Sequence, residues 1–553
     1  MTNKEIANAF QDLAKIMELH KENKFKIRSY SSAYITLRKL GTPLTEMSDA
    51  DINGLKGIGK AISGKIRELV DNGEMATYQK YADKTPPGVM EMLKIKGFGP
   101  KKVEVIWREM EIETIGELLY ACVENRLIEA KGFGQKTQED LRKKLEYYLK
   151  SKDSFHYASL ETEANELVTT LKKQLPDAQI ELTGAIRRLS PILNNIEILI
   201  ASDTAINTIF DEEKLVLQQA EKGSYQAKTE HSTPVVIYHC TANEFGSKQF
   251  WYGSNKPFID AFLEQSPIKT FKNIATEAAI FEAASLPYIV PELREESTII
   301  DIAKAGNLPN LVEEKDIKGV IHSHTTYSDG LNTVKEMAEY SQSLGYQYIG
   351  ITDHSKSAFY ANGLKPDRLY KQWAEIDQLN QTFGDDFKIL KGIESDILND
   401  GSLDYDEDIL KQFDFIIASV HSNLKMDETK ATNRLVKAIE NPYTTMLGHP
   451  TGRLLLSREG YPIDHPKVID ACAANGVYIE LNAHPYRLDL DWTWIPYAIE
   501  KGVKISINPD AHSTKGIHDI HYGTLAARKG MLTKEMCLNA LNLADFVKAI
   551  SGK

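Results

Sequence analysis

Seven short apolar runs punctuate the second half of the chain, at residues 320–321, 348–351, 389–390, 415–420, 445–447, 477–481 and 505–507. Their length, their β-branched content and the turn residues around them predict buried strands. Amphipathic stretches such as 333–344 and 367–383 lie between them and predict helices. Strand and helix alternate, which predicts parallel βα units. Upstream the period changes. Residues 1–150 read as helical, beginning with 3–20, where Ile6, Phe10, Leu13, Ile16 and Met17 are spaced for one helix face.

Six of the seven runs lead into His, Asp or Glu: GVIHSHTTYSDG, YIGITDHS, LKGIESDI, FIIASVHS, TMLGHPTG and ISINPDAHS. This selects His322, His324, Asp329, His354, Glu394, His421, His449, Asp510 and His512. Ten of the 14 histidines lie beyond residue 320. In a barrel of βα units, polar residues at strand C-termini converge on one rim. A set of imidazoles and carboxylates without cysteine suits Zn²⁺, Mn²⁺ or Fe²⁺. Nine donors exceed what one ion takes and imply two or three ions, an arrangement suited to phosphoester hydrolysis. A structural metal would use four ligands and exclude water.

Composition adds bounds. A length of 553 residues predicts three or four domains, and 42% hydrophobic residues is ordinary for a globular chain. Residues 1–150 carry a net charge of +4 and the remainder −16. The N-terminal part is therefore the expected phosphate-backbone binder. Cys122, Cys240, Cys472 and Cys537 match no zinc or disulfide spacing, which fits a reducing cytoplasm. The start MTNKEIANAF has no apolar core of a signal peptide, and no 18-residue apolar stretch exists, so neither secretion nor a membrane span is expected.

The donor pattern His-x-His…Asp…Asp-His…Glu…His…Gly-His-Pro…Asp-x-His resembles the PHP (polymerase and histidinol phosphatase) family, with all nine positions filled. The resemblance implies a distorted (βα)7 barrel holding three divalent ions. It assigns His322, His324, Glu394 and Asp510 to one ion, and Asp329, His354 and His512 to a second. Glu394 would bridge to a third, held by His421 and His449. Lys356, Arg453 and Arg487 lie just beyond strand ends and are candidate phosphate binders; solvated surface charge is the alternative for each.

In the helical region one element recurs: Leu55-Lys56-Gly57-Ile58-Gly59-Lys60, Ile95-Lys96-Gly97-Phe98-Gly99-Pro100-Lys101 and Ala130-Lys131-Gly132-Phe133-Gly134-Gln135-Lys136. Each precedes an expected helix (61–71, 101–110, 136–149). Paired glycines permit a tight turn with positive φ. The helix start then offers free N–H groups to phosphate, and the lysines add attraction. The element resembles the helix-hairpin-helix DNA-binding motif, in three copies. The first copy also resembles the N-terminal domain of family X DNA polymerases, whose deoxyribose-phosphate lyase lysine falls at Lys65; a plain surface lysine is the favoured reading there.

Residues 155–310 resemble the palm and thumb of the same family. Gly184-Ala185-Ile186-Arg187-Arg188 stands where the family has Gly-Ser-x-Arg-Arg. Asn195-Ile196-Glu197 stands for Asp-x-Asp, and Val236 for the third carboxylate. Tyr252-Gly253-Ser254 and the stretch 285–295 match later landmarks. Two-metal nucleotidyl transfer needs carboxylates. With a neutral Asn195 and an apolar Val236, polymerase activity is expected to be weak or lost.

Taken together, the chain resembles bacterial family X DNA polymerases with a C-terminal PHP domain. The expected domains are a helix-hairpin-helix domain (1–85), a fingers-like hairpin domain (86–150), an α+β palm-like nucleotidyltransferase (151–240), a thumb (241–310) and the barrel (316–553). The resemblance implies a Mn²⁺-dependent 3′–5′ exonuclease of DNA repair, monomeric and acting on gapped or 3′-ended DNA. Three alternatives stay open: a gap-filling polymerase with a PHP nuclease, a small-molecule phosphatase, and a non-catalytic DNA-binding scaffold.

Overall fold

Ile6, Phe10, Leu13, Ile16 and Met17 all point inward from one helix, Asn3–Leu19, whose start is fixed by a capping box between Thr2 and Glu5. It packs against a second helix, Lys24–Leu37, through a Phe10–Tyr30 ring contact of 6.0 Å. The computed structural model describes residues 1–40, 42–95, 98–128, 130, 132–150, 154–203, 218–221, 223–267 and 270–551. These fall into two units, Met1–Tyr147 and Tyr148–Lys553. The first is helical throughout its described residues.

The second unit opens with a five-stranded mixed sheet: β1 (Gln179–Leu182), β2 (Ile196–Ala201), β3 (Gln218–Glu221), β4 (Ser224–Lys228) and β5 (Pro234–Cys240), in the order β1-β2-β5-β4-β3. Only β2 and β5 run parallel. Their register sets Glu197 directly opposite Val236. A helical layer follows, with a core of Phe250, Phe258, Phe262 and Phe281. Fully buried Arg294 is neutralised there by Glu277 at 2.5 Å.

The seven strands expected in the second half are all present and all parallel: β6 (Gly319–Ser323), β7 (Tyr348–Ile351), β8 (Lys388–Asp396), β9 (Phe415–Ser419), β10 (Met446–Leu447), β11 (Tyr478–Asn482) and β12 (Ile505–Asn508). They pair in chain order. A bridge between Ser323 and Ala511, with His324 N donating to Ala511 O at 2.8 Å, brings the last strand back to the first. Strand burial is near continuous, as a parallel sheet covered by helices requires. The Phe415 ring fills the space left by Gly350 and Gly392, where a Cβ would lie 2.5 Å from it. The C-terminal helix Leu543–Ile550 closes the N-terminal strand ends, stacking Phe546 on Tyr348 at 4.4 Å. The polar residues collect at the opposite rim.

Charged contacts join the sheet and helical layer to the barrel. Lys529 Nζ, nearly fully buried, donates to Glu295 at 2.6 Å and to Arg188 O at 2.9 Å; Arg528 pairs with Glu292 at 2.6 Å. His521 donates to Glu161 at 2.9 Å and Glu314 at 3.2 Å. The hydrogen bond to Glu161 outweighs the opposing effect of burial and raises its pKa to about 9. A raised native pKa gives stability that is complete below the unfolded value of about 6.5 and is lost as pH climbs through about 9. Because solvent reaches the ring, the contribution is on the order of 1 kcal/mol or less. The thermal midpoint of the barrel-containing unit is therefore expected to fall between pH 6.5 and 9, and His521→Gln to flatten that fall; scanning calorimetry across this window checks it.

Candidate functional site

All nine donors selected from the sequence come to the C-terminal rim of the barrel. Seven are buried, and Asp329 and His421 are partly buried. The backbone is bent to aim two of them. His322 and Asp510 hold φ of +69° and +53°, a left-handed conformation costly for a residue with a Cβ and concentrated at functional sites. The pairing of β6 with β7 also slips between Val320 and Ser323, a bulge that re-aims His322.

Glu394 is the hub. Its Oε1 lies 2.9 Å from His449 Nε2, 3.0 Å from His421 Nε2 and 3.4 Å from His322 Nε2. Its Oε2 lies 2.9 Å from His354 Nδ1 and 3.7 Å from His324 Nε2. Asp510 Oδ1 stands 3.1 Å from His324 Nε2 and 3.4 Å from His322 Nε2. Asp329 stands 3.5 Å from His354 Nε2 and 3.4 Å from His512 Nε2. Three groups could each hold an ion: His324, Asp329, His354 and His512; His322, His324 and Asp510; and His354, Glu394 and His421.

These residues fit divalent cations. Donor bonds of about 2.1 Å put neighbouring ligand atoms about 3.0–3.5 Å apart, the spacing found here. Three buried atoms that face the cluster make no hydrogen bond among the described residues, His322 Nε2, His324 Nδ1 and Asp329 Oδ2, while His354 Nδ1 and Glu394 Oε2 face each other at 2.9 Å. Buried polar atoms of this kind are expensive unless a partner binds them. Although burial opposes it, the surrounding imidazoles hold Asp329, Glu394 and Asp510 well below the usual carboxylate range. Burial and the neighbouring His512 and His354 push His324 down to about 3, while against burial the facing carboxylates lift His322, His354 and His421, whose protons a bound cation would displace. Ionised carboxylates and a neutral imidazole are the forms that ligate.

Behind the donors stand residues that the sequence reading missed. Fully buried Glu480 accepts from His322 Nδ1 at 2.6 Å, from His449 N at 3.1 Å and from Asn508 Nδ2 at 2.8 Å. Asp396 accepts from His421 Nδ1 at 2.6 Å. Asp353 accepts from Thr325 N at 2.7 Å and Ser328 N at 3.1 Å, which fixes the turn before Asp329. One signal was available: Glu480 is a lone acid inside the apolar run 477–481, where a charge needs a partner.

Of the three candidate phosphate binders, Arg487 is buried, with Nε 3.8 Å from Asp510. Lys356 is exposed, over the Tyr405 ring. Arg453 is turned inward. Its Nε donates to Arg487 O at 3.0 Å, and its Nη atoms bond Asp491 and Leu488 O, so its guanidinium fastens the loop that carries Arg487.

The palm-like sheet is filled by its own side chains. Glu197 accepts from Ala185 N at 3.1 Å and from the Tyr238 hydroxyl at 3.1 Å. It presses on Gly184 (φ +66°), where a Cβ would lie 1.7 Å from its carboxylate. Asn195 precedes β2, and Val236 faces Glu197 across the strands. Arg187 is clamped by Glu277 at 2.6 and 3.0 Å, and Arg188 by Glu295 at 3.1 Å.

The three hairpin elements share one turn. Ile58, Phe98 and Phe133 each donate their N–H three residues back, to Leu55, Ile95 and Ala130, at 3.0 Å. Their buried side chains anchor the turn. Gly57 and Gly132 have φ of +82° and +90°, whereas Gly97 lies outside the described residues. The second glycines differ from expectation. Gly59 and Gly99 are extended N-caps, with φ of −88° and −82°, of the helices Lys60–Asn72 and Pro100–Arg108. A Cβ on Gly59, Gly99 or Gly134 would meet nothing within 4 Å. Internal packing does not require glycine there. Lys60, Lys101 and Lys136 are exposed at these helix starts, and Lys65 is partly buried on the first.

An open rim of His, Asp and Glu on a parallel seven-stranded barrel defines a metal-dependent phosphoesterase of the PHP class, and here it is joined to a helix-hairpin-helix arm. Family models agree: a PHP domain matches residues 321–484 and a helix-hairpin-helix domain residues 1–75. The chain is 33% identical to the DNA polymerase/3′-5′ exonuclease PolX of Bacillus subtilis, over 99% of this chain and 98% of that one. It belongs to the PolX family. The chain is also 29% identical to a "probable phosphatase" of Thermoanaerobacter sp. strain X514, over 40% of this chain and 91% of that protein. Another "probable phosphatase", from Caldanaerobacter subterraneus, is 30% identical over 34% of this chain and 74% of its own. No helix among the described residues is long and apolar enough to cross a membrane.

If Glu480 and Asp396 hold imidazoles in the ligating tautomer, Glu480→Gln and Asp396→Asn should each weaken metal binding roughly 10- to 100-fold while the barrel stays folded. Metal content after dialysis against graded chelator, read by plasma mass spectrometry, tests this; wild-type retention in both variants would refute it.

Proposed function

We propose that this protein is a divalent-metal-dependent DNA 3′–5′ exonuclease of DNA repair, with the barrel rim as its active site and the hairpin arm as its DNA-binding element. The observation that carries the reading is the convergence of nine donors on one rim, five of them histidines around Glu394. Its two oxygens face different histidine sets, which would suit it to be shared between two of three ions. Mn²⁺ is the proposed activating ion, with Zn²⁺ and Fe²⁺ as alternatives for a nitrogen–oxygen donor set. Such ions supply Lewis-acid polarisation of the phosphodiester and activation of a water.

The chain's own residues do the rest. Arg487, fastened by Arg453, offers a guanidinium to a phosphate oxygen beside Asp510, and Lys356 adds charge at the mouth. Glu480 and Asp396 orient His322 and His421. The exposed helix starts at Lys60, Lys101 and Lys136 hold the DNA backbone without regard to sequence. Lys65 is the position for any deoxyribose-phosphate lyase activity. Gapped or 3′-ended DNA is the proposed substrate, and a monomer the proposed form. A phosphatase reading has the barrel-only relatives in its favour, yet it leaves three hairpins without a task. Comparing histidinol phosphate with an oligonucleotide as substrate separates the two.

On a 5′-labelled oligonucleotide with Mn²⁺, His324→Ala and Asp510→Ala are expected to lower the rate of 3′-terminal nucleotide release by roughly two orders of magnitude or more. Unchanged rates in both would refute the assignment. In primer extension with Mg²⁺ or Mn²⁺, the wild type is expected to incorporate little or nothing. The reason is that Asn195 and Val236 are not ligands, while Glu197 is bonded to Ala185 N and Tyr238. Robust templated synthesis would overturn that expectation.

A further inference from the structure

Beside the donor cluster, the loop after β7 carries a ring that the interior does not use. Phe359 is 84% exposed, among the most exposed large apolar side chains described. It lies against Tyr360, with ring centroids 6.1 Å apart, and Tyr360 lies 6.3 Å from the ring of His354, one of the nine donors. The loop is pinned on several sides. Leu364 N donates to His354 O at 2.8 Å, and Asn362 Nδ2 to Ser328 O at 3.2 Å. Ser357 donates its N–H to Asp404 at 2.6 Å and its hydroxyl to Asp396 at 2.5 Å. Arg368 bonds Asn362 O at 2.8 Å. A phenyl ring is thus held in solvent on a braced loop, next to the metal rim. On the neighbouring loop Leu331, 50% exposed, donates its N–H to His512 O at 2.8 Å. Lys356 and Lys365, both exposed, lie on the same loop as Phe359.

Scattered exposed apolar residues need no explanation. An aromatic at the mouth of a phosphodiesterase site, flanked by lysines and carried on a preorganised loop, has a specific use. Bases have apolar faces that stack on aromatic side chains regardless of sequence, while lysines follow the backbone. We propose that Phe359 is a stacking platform for the base of the 3′-terminal nucleotide, seating its phosphodiester over the donor cluster. This rests on the nuclease reading above and names the substrate feature that the site recognises.

The test uses the full-length protein and two single-stranded oligonucleotides, identical except that the 3′-terminal nucleotide carries thymine or is an abasic tetrahydrofuran. The wild type is expected to favour the base-bearing end roughly 5- to 100-fold in kcat/KM, mainly through KM. Phe359→Ala should erase that preference with little change on the abasic end, and Phe359→Trp should keep it. Because the ring is exposed, melting temperature and metal content should match wild type in both variants. A 2-aminopurine at the 3′ terminus, bound in the presence of chelator, should be quenched by wild type and by Phe359→Trp but not by Phe359→Ala. Equal effects of Phe359→Ala on both ends, or intact cleavage with no base preference, would overturn the platform and leave the nuclease standing. No cleavage of either oligonucleotide by the wild type would end both readings.

Discussion

The structure turns on the Glu394 carboxylate, buried at the barrel rim with histidines against both oxygens. An acid in that position is tolerable only when cationic partners surround it. The barrel supplies that setting in layers. The inner layer is the ring of imidazoles. Behind it, Glu480 and Asp396 bond the far sides of His322 and His421, and Asp353 ties down the turn leading to Asp329. The positive φ of His322 and Asp510 is the local strain that this convergence requires. A parallel seven-stranded sheet makes it possible, because each strand delivers its last side chains to one rim while the other end is packed with Phe415, Tyr348 and Phe546.

The charged residues of the five-stranded sheet serve as internal bracing. Glu197 bonds Ala185 N and the Tyr238 hydroxyl. Arg187 and Arg188 are held by Glu277 and Glu295, and Glu295 in turn receives Lys529 from the barrel. The sheet and its helical layer thus brace the barrel through Glu295 and Lys529. His156 donates to Leu455 O at 3.0 Å and stacks on Tyr486 at 4.3 Å, next to the loop that presents Arg487. Scaffold and site are in physical contact.

Much of this was legible in the chain itself. Seven strands, the donors that follow them and the repeated hairpin turn depend on short-range rules: apolar period, turn residues and the way a strand ends. Nine donors could be named because each sits a few residues past an apolar run. The second glycines of the hairpins were read as turn formers, since sequence alone gives no φ; Gly59 and Gly99 prove extended, with open space before them. The sequence leaves Arg453 between phosphate binder and solvated charge, because charge near a strand end looks alike whether it faces the solvent or its own loop.

What the sequence determined by itself is therefore the class of chemistry and the kind of substrate, because both are written in local pattern and residue type. Only the tertiary structure decided which residues serve as backing and which stay exposed. Glu480 reaches His322 across 158 positions and Glu277 reaches Arg187 across 90. Val236 meets Glu197 only through strand register, and the exposure of Phe359 is decided by the loop that carries it. Such pairings arise when the barrel closes and the sheets align. No periodicity along the chain encodes them, since the partners share a neighbourhood only after folding has brought distant segments together.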